Sequence, residues 1–449
     1  MDANNRYRKV DLLLKGKIYL QGRVEEACIG IEAGKIVMVC KEPNAPYAEK
    51  VFSYTGKKLI LPGMVDMHVH MRDLGQEHKE DWYTGSMAAL KGGVTTVVDM
   101  PNNIPFINTR ESLLLKVEKA KEKSIVDYGF YLGFPASLNE LSKSRDMIFG
   151  VKLYPNDLSN SENLVNLLQK CAELDLLLIV HPEDPTLLEE CKKWASKIGV
   201  KLDPSLHPML RAPVVEYFAV KNLLEIARRV HGARIHFTHV STGESVKTIL
   251  HSKLEGRKVS FDVTPHHAFL NSRLYAGRQA NIAKVNPPLR PEEDRRIIYN
   301  ALVNRQVDAY VTDHAPHRFE EKMAEKYEDI PPGFPGLEIA LPLLLTEVFE
   351  GRADIRVIES YSLKPAEILG IAKGQLAVGF DGDITIVEYG VEETVKGEDF
   401  FSKAKYTPFE GYRLRARVVD VYLRGLKVLE EGNVIGRRGV GCFARRIER

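Results

Sequence analysis

Between residues 62 and 365 the chain repeats one alternation: a short run rich in Val, Ile and Leu, then a longer stretch whose apolar residues recur at helical spacing. Eight such runs are expected as strands, at 65–70, 94–100, 125–132, 149–153, 176–181, 234–239, 258–263 and 307–312. Helices such as 81–91, 110–121, 164–173 and 214–230 fall between them. Regular alternation of this kind implies parallel strands joined by crossover helices. Eight repeats suit an α/β fold of the (β/α)8 barrel type. A doubly wound open sheet is the competitor, but no glycine-rich phosphate loop follows an early strand. On either side the texture changes to short β-type runs broken by turns. These are DLLLKGKIYL, ACIGIEAGKIVMVC and KKLILPG before the barrel, and GDITIVEYG and ARVVDVYLRGLKVLEEG after it. Residues 1–61 and 366–449 are therefore expected to build one small composite β-sandwich domain beside a barrel domain of residues 62–365.

In a barrel the chemistry sits where the strands end. The first ends in VDMHVHMRD. Side chains alternate along a strand, so His68, His70 and Arg72 share one face, and two imidazoles one strand step apart can close on a single metal ion. Taken alone, the motif is equally a pair of half-buried histidines. The other strand ends decide, because they supply Lys152, His181, His239 and then Asp313. Imidazole mixed with carboxylate is the ligand set of hydrolytic zinc sites. Lys152 is the odd member, since an ammonium is repelled by a cation. Burial lowers its pKa, and a neutral amine reacts with carbon dioxide to give a carbamate that bridges two ions. The bland alternative is a lysine stem lying along the strand with its charge in solvent. The bridge is preferred because the neighbouring strands supply ligands for two ions that nothing else would join. His236, three residues before His239, is expected on the opposite side of its strand, toward the helices. His266 and His267 are expected near the rim in structural or supporting roles, and His314 pointing away from the metals.

Charge and cysteine usage narrow the partners. With 63 basic and 61 acidic residues, net +2 and no long single-sign block, nothing marks a nucleic-acid or membrane surface, and a small-molecule substrate is the expectation. The five cysteines are odd in number, scattered and without a CxxC pair, which argues against a disulfide framework and a cysteine zinc site. Reduced thiols are the expectation. The apolar run at residues 10–14 is interrupted by Asp11 and too short for a signal-peptide core, and no stretch approaches a membrane span, so a cytoplasmic protein is expected.

PGMVDMHVHMRD, KEDWYTGSMAALKGGVTTVVDMPNN, GVKLYPND, IVHPED, HFTHVST, DVTPHH, NPPLR, VTDHAPHRFEEK and PPGFPGLE follow one another in an order and spacing that resembles the amidohydrolase superfamily, and within it type I dihydroorotase. The resemblance covers most of the chain. It implies a metal-bearing amidohydrolase barrel with a small β domain drawn from both termini. It implies two zinc ions per chain. His68, His70 and Asp313 would hold one, His181 and His239 the other, and carboxylated Lys152 would bridge them. It also implies that Arg72, Asn102 and His317 grip the substrate carboxylate, that Asn286 and the backbone of Pro332 and Gly333 contact the ring, and that Asp313 carries the proton. The reaction so implied is the reversible closure of N-carbamoyl-L-aspartate to L-dihydroorotate in pyrimidine (UMP) biosynthesis. A hydantoinase, dihydropyrimidinase or allantoinase is the nearest rival, but their substrates lack the ring carboxylate and would leave Arg72 and His317 unpaired. The rival from another class is an inactive scaffold that assembles with aspartate transcarbamoylase. The retained ligand set argues against it, although an active enzyme is also compatible with that partner and with a homo-oligomer.

Overall fold

The computed structural model describes residues 9–447. Within them seventeen strands form two sheets, one of eight strands and one of nine. The first strands of the chain, β1 (Lys9–Leu20), β2 (Arg23–Glu32), β3 (Lys35–Cys40), β4 (Tyr47–Tyr54) and β5 (Lys58–Pro62), belong to the nine-stranded sheet. Eight parallel strands follow: β6 (Met64–Val69), β7 (Val94–Asp99), β8 (Asp127–Leu132), β9 (Gly150–Leu153), β10 (Leu177–Val180), β11 (Ile235–Phe237), β12 (Val259–Val263) and β13 (Ala309–Tyr310). They pair in sequence order. The ring closes where Val69 bridges His314 and the His70 N–H donates to the His314 carbonyl at 2.8 Å. Helices cover the outside, so β6, β7 and β8 are buried along their whole length and read as nearly continuous apolar runs.

The crossover helices start where the sequence provides caps. Asp81 accepts the amides of Tyr83 and Thr84, both at 2.9 Å, and opens Trp82–Lys91. Thr109 and Ser112 form a reciprocal cap that opens Arg110–Lys123. Helices Ser161–Glu173 and Pro213–Ala227 complete the four that were expected, each displaced by a few residues. Among the described residues no helix is long and apolar enough to cross a membrane.

The chain returns to the first sheet through β14 (Ile384–Thr394), β15 (Arg413–Leu423), β16 (Leu426–Glu430) and β17 (Asn433–Val434). β14 pairs antiparallel with β5, so strands from the two ends of the chain join in the middle of one sheet around an apolar core that includes Leu14, Ile29, Ile60, Ile386 and Tyr422. Two later segments leave this sheet for the barrel. Residues 397–411 lie along its rim, where the Tyr406 hydroxyl donates to the His317 carbonyl at 3.1 Å. The end of the chain lies beneath it, with Phe443 bridged to Tyr128.

A buried ionic knot fastens sheet to barrel. The Lys373 ammonium lies 2.7 Å from Asp127, which opens β8, 2.8 Å from Asp381 and 2.6 Å from Asp383, just before β14. Three carboxylates this close could hold a metal, but the ammonium already supplies the cation. Replacing Lys373 with methionine would leave these acids uncompensated, and removing one partner from a buried ion pair costs about 3–5 kcal/mol. Lys373→Met is therefore expected to melt well below the wild type. An unchanged melting temperature would show that the knot holds nothing.

Candidate metal centre and substrate pocket

All twelve residues singled out from sequence border one cavity of about 310 Å³ at the C-terminal mouth of the barrel. Its deepest part is an imidazole and carboxylate cluster. His68 and His70 leave the end of β6 on one face, and each Nε2 meets the same oxygen of Asp313, at 3.2 and 3.1 Å. The His70 Nδ1–H donates to Asn102 Oδ1 at 2.7 Å, which orients Nε2 toward the Asp313 carboxylate. These three residues have the proximity a metal needs. Burial drives His68 and His239 well below the usual histidine pKa, so both are the neutral imidazoles a metal requires. The Nδ1 atoms of both are buried without a hydrogen-bond partner among the described residues.

Lys152 stands in β9 beneath this cluster, fully buried, and donates to Thr238 Oγ1 at 2.9 Å. Burial pushes its amine down to about 7, against the pull of Asp262 and Asp313. Beside it the His181 and His239 rings lie 4.5 Å apart, and His239 lies 5.2 Å from His68. His68, His70 and Asp313 thus lie close enough to share one ion, and His181, His239 and Lys152 stand beside them as further donors.

The outer part of the cavity is cationic. Arg72 is buried, donates from Nε to the Pro316 carbonyl at 3.2 Å and places Nη2 3.1 Å from His317 Nε2. Lys79 faces the other nitrogen of His317 at 3.2 Å, and Nε2 also meets the Pro332 carbonyl at 3.1 Å. Burial, then Arg72 and Lys79, hold His317 far below its ordinary pKa, so the ring is neutral between two cations. Lys79 is paired with Glu321 at 3.3 Å, whereas the Arg72 guanidinium bonds a carbonyl and an imidazole, so this corner suits an anionic ligand. Asn286 faces the same space with a buried, unpartnered Oδ1, an acceptor suited to a ring N–H.

Three of these residues have left-handed backbones: Arg72 at φ 60°, His239 at 40° and Asp313 at 47°. For residues with a Cβ this costs about 1–3 kcal/mol each, and such strain collects at functional sites. It also explains why His236 is not where strand parity puts it. In register with Ile179 and Lys152, His236 shares the face of Lys152 and points into the barrel, not toward the helices. There it meets Asp262 at 2.9 Å, and the other oxygen of Asp262 accepts the His239 amide. The turn at His239 breaks the alternation, so both histidines face inward. His267 braces the rim through the Pro287 carbonyl at 3.1 Å, and His314 turns away toward Glu80.

Several contributors were not singled out from sequence. Glu183 accepts from His181 Nε2 and from Nε of Arg211 at 3.0 Å, so His181 is left to present Nδ1 to the cavity. Burial alone would raise the Glu183 pKa, but Arg211 and His181 hold it far below the usual range. Its signal was the HPED motif, which sets an acid two residues after the ligand. Lys322, fully buried, donates to the carbonyls of Lys284, Pro331 and Gly333 at 3.0, 2.8 and 3.0 Å and pins the rim that carries Pro332 and Gly333. Gly333, at φ 121°, leaves no room for a side chain, since a Cβ would lie 2.7 Å from the Ala315 carbonyl oxygen.

The amidohydrolase family profile matches residues 59–428. Dihydroorotase from Pyrococcus abyssi is 37% identical over 433 residues, covering 95% of this chain and 97% of that one. Dihydroorotase from Methanothermobacter thermautotrophicus is 35% identical, covering 92% and 93%. Among solved structures, the L-hydantoinase (dihydropyrimidinase) from Arthrobacter aurescens superposes with a TM-score of 0.92 at 28% identity, covering 97% of this chain and all of that one. Dihydropyrimidinase from Brevibacillus agri superposes at 0.90 with 26% identity, covering 97% and 99%.

Proposed function

The chain belongs to the amidohydrolase family and, within it, to the dihydroorotases, and from that premise we propose that it interconverts N-carbamoyl-L-aspartate and L-dihydroorotate with two zinc ions. The observation that carries this reading is the buried Arg72 and His317 corner beside the histidine and carboxylate cluster. A hydantoinase or dihydropyrimidinase turns over rings with no carboxylate. In such an enzyme this buried guanidinium would face the pocket unpaired, at a cost that a carboxylate removes.

In this reading His68, His70 and Asp313 would hold one zinc ion and His181 and His239 the other, with the carbamate of Lys152 as a ligand they would share. When bound, the two ions lower the pKa of water at the site and polarise the ring carbonyl. Arg72 and His317 grip the substrate carboxylate, and the amide nitrogen of Asn102, whose oxygen is held by His70, completes the grip. Asn286 accepts the ring N–H, and Pro332 and Gly333 fix the ring through their backbone. Asp313 takes the proton of the attacking water and returns it to the departing ring nitrogen, and in ring closure the same transfers run backward. The open form carries one more carboxylate, so acid favours closure and alkali favours hydrolysis. A chain that ends its pathway step this way works in pyrimidine biosynthesis in the cytoplasm. Exposed Trp194, Ile198, Met209 and Phe218, from neighbouring helices, support a homo-oligomer.

The test is turnover of L-dihydroorotate beside hydantoin, dihydrouracil and allantoin, with zinc counted on the same sample. Turnover of dihydroorotate far above any residual turnover of the neutral rings, with about two ions per chain, is expected. Metal present with activity confined to the neutral rings would overturn the carboxylate corner, and no metal with no turnover would bring the inactive scaffold forward.

A further inference from the structure

The nine-stranded sheet holds a pair of facing cysteines. The antiparallel register of β2 and β3 sets Cys28 directly opposite Cys40, and the register of β1 and β2 sets Lys15 opposite Cys28 on its other side. Residues paired across strands point to the same face, so Lys15, Cys28 and Cys40 stand in one row. Opposed Cα atoms of an antiparallel pair lie about 4.5 or 5.5 Å apart, depending on whether the pair is hydrogen-bonded. Both spacings fall inside the range of about 4.4–6.8 Å that a disulfide spans. Both cysteines are free thiols, Cys28 buried and Cys40 half-exposed, so one member opens to solvent and the other waits behind it. Burial raises the pKa of both thiols, that of Cys28 to about 11, and the Lys15 ammonium, tied to Glu42 at 3.0 Å, pulls against it at each.

We propose that Cys28 and Cys40 are an oxidisable cross-strand dithiol that reacts with low-molecular-weight disulfides and closes into a staple between β2 and β3. The Cys40 thiolate attacks one sulfur of the reagent disulfide, expelling one reagent thiolate and leaving a mixed disulfide on Cys40. The Cys28 thiolate then attacks Cys40 Sγ and expels the second. Two protein thiols are oxidised, one reagent disulfide is reduced to two thiols, and the two thiol protons end on the departing thiolates. None of the three residues borders the substrate cavity, so the staple acts on the stability of the sheet rather than on turnover.

The experiment exposes the folded full-length chain, with Cys191 and Cys442 replaced by serine, to glutathione disulfide and follows intact mass, linked peptides and melting. The expected result is loss of two hydrogens, a Cys28–Cys40 linked peptide and a higher melting temperature that dithiothreitol reverses. Cys28→Ser is expected to stop at one glutathione on Cys40, and Cys40→Ser to stay unmodified at Cys28. Retained glutathione without the linked peptide, or no reaction at Cys40, would overturn the proposal.

Discussion

Asp313→Asn is expected to lower kcat by about 10²–10⁴-fold, the usual worth of a positioned acid or base, while KM stays within a few-fold. Asp313 is the one Asp or Glu bordering the cavity among the described residues, so no other acidic side chain is there to accept the proton of the attacking water. Asparagine keeps the shape of the side chain and leaves an oxygen for the two histidines, but it accepts no proton. It also tolerates the left-handed backbone that position 313 adopts, so the substitution does not disturb the fold for an unrelated reason. Steady-state kinetics with zinc counted on the same sample check this. A kcat near the wild type with full zinc content would remove Asp313 from the proton path.

Arg72→Gln is expected to act on the other parameter. Truncating one partner of a buried, hydrogen-bonded charge pair costs about 2–5 kcal/mol, so KM for dihydroorotate should rise at least thirtyfold or so. The residual turnover of dihydrouracil, a ring without the carboxylate, should not fall with it. Arg72→Lys should not rescue binding, because an ammonium supplies a point charge where the guanidinium offers a planar fork, and it loses the bond from Nε to Pro316. Equal losses on the charged and the neutral ring would mean that Arg72 only supports the wall of the pocket.

The barrel was legible in the sequence because its strands are buried on both faces and its helices carry their own caps. The strand ends were legible because a polar side chain that closes an apolar run stands out. Other features depend on more than local pattern. β4, following Pro43 and Pro46, was missed; its side chains are largely exposed, so it shows no clear inward and outward alternation, and it gains its place by pairing with β1. His236 was misplaced because parity holds only while the backbone stays extended, and it fails at the left-handed turn of His239. Lys322 gave no sign of its position, since an apolar environment and three waiting carbonyls come from segments up to 38 residues away in sequence. Glu183 was visible as a residue, but its work depends on Arg211, 28 residues on.

The seam between β5 and β14 bears on how the chain is made. Leu61 pairs with Thr385, and the Gly63 amide donates to the Asp383 carbonyl at 2.9 Å, so the first sheet is completed by residues synthesised only after the whole barrel. Until then β5 presents an unpaired edge, the kind of surface that recruits foreign strands. The barrel, whose eight strands are contiguous in sequence, can assemble first and hold that edge beside its own first strand. The strands made after the barrel thus zip into a sheet begun before it, and a truncated product lacking β14 and β15 would carry an open edge.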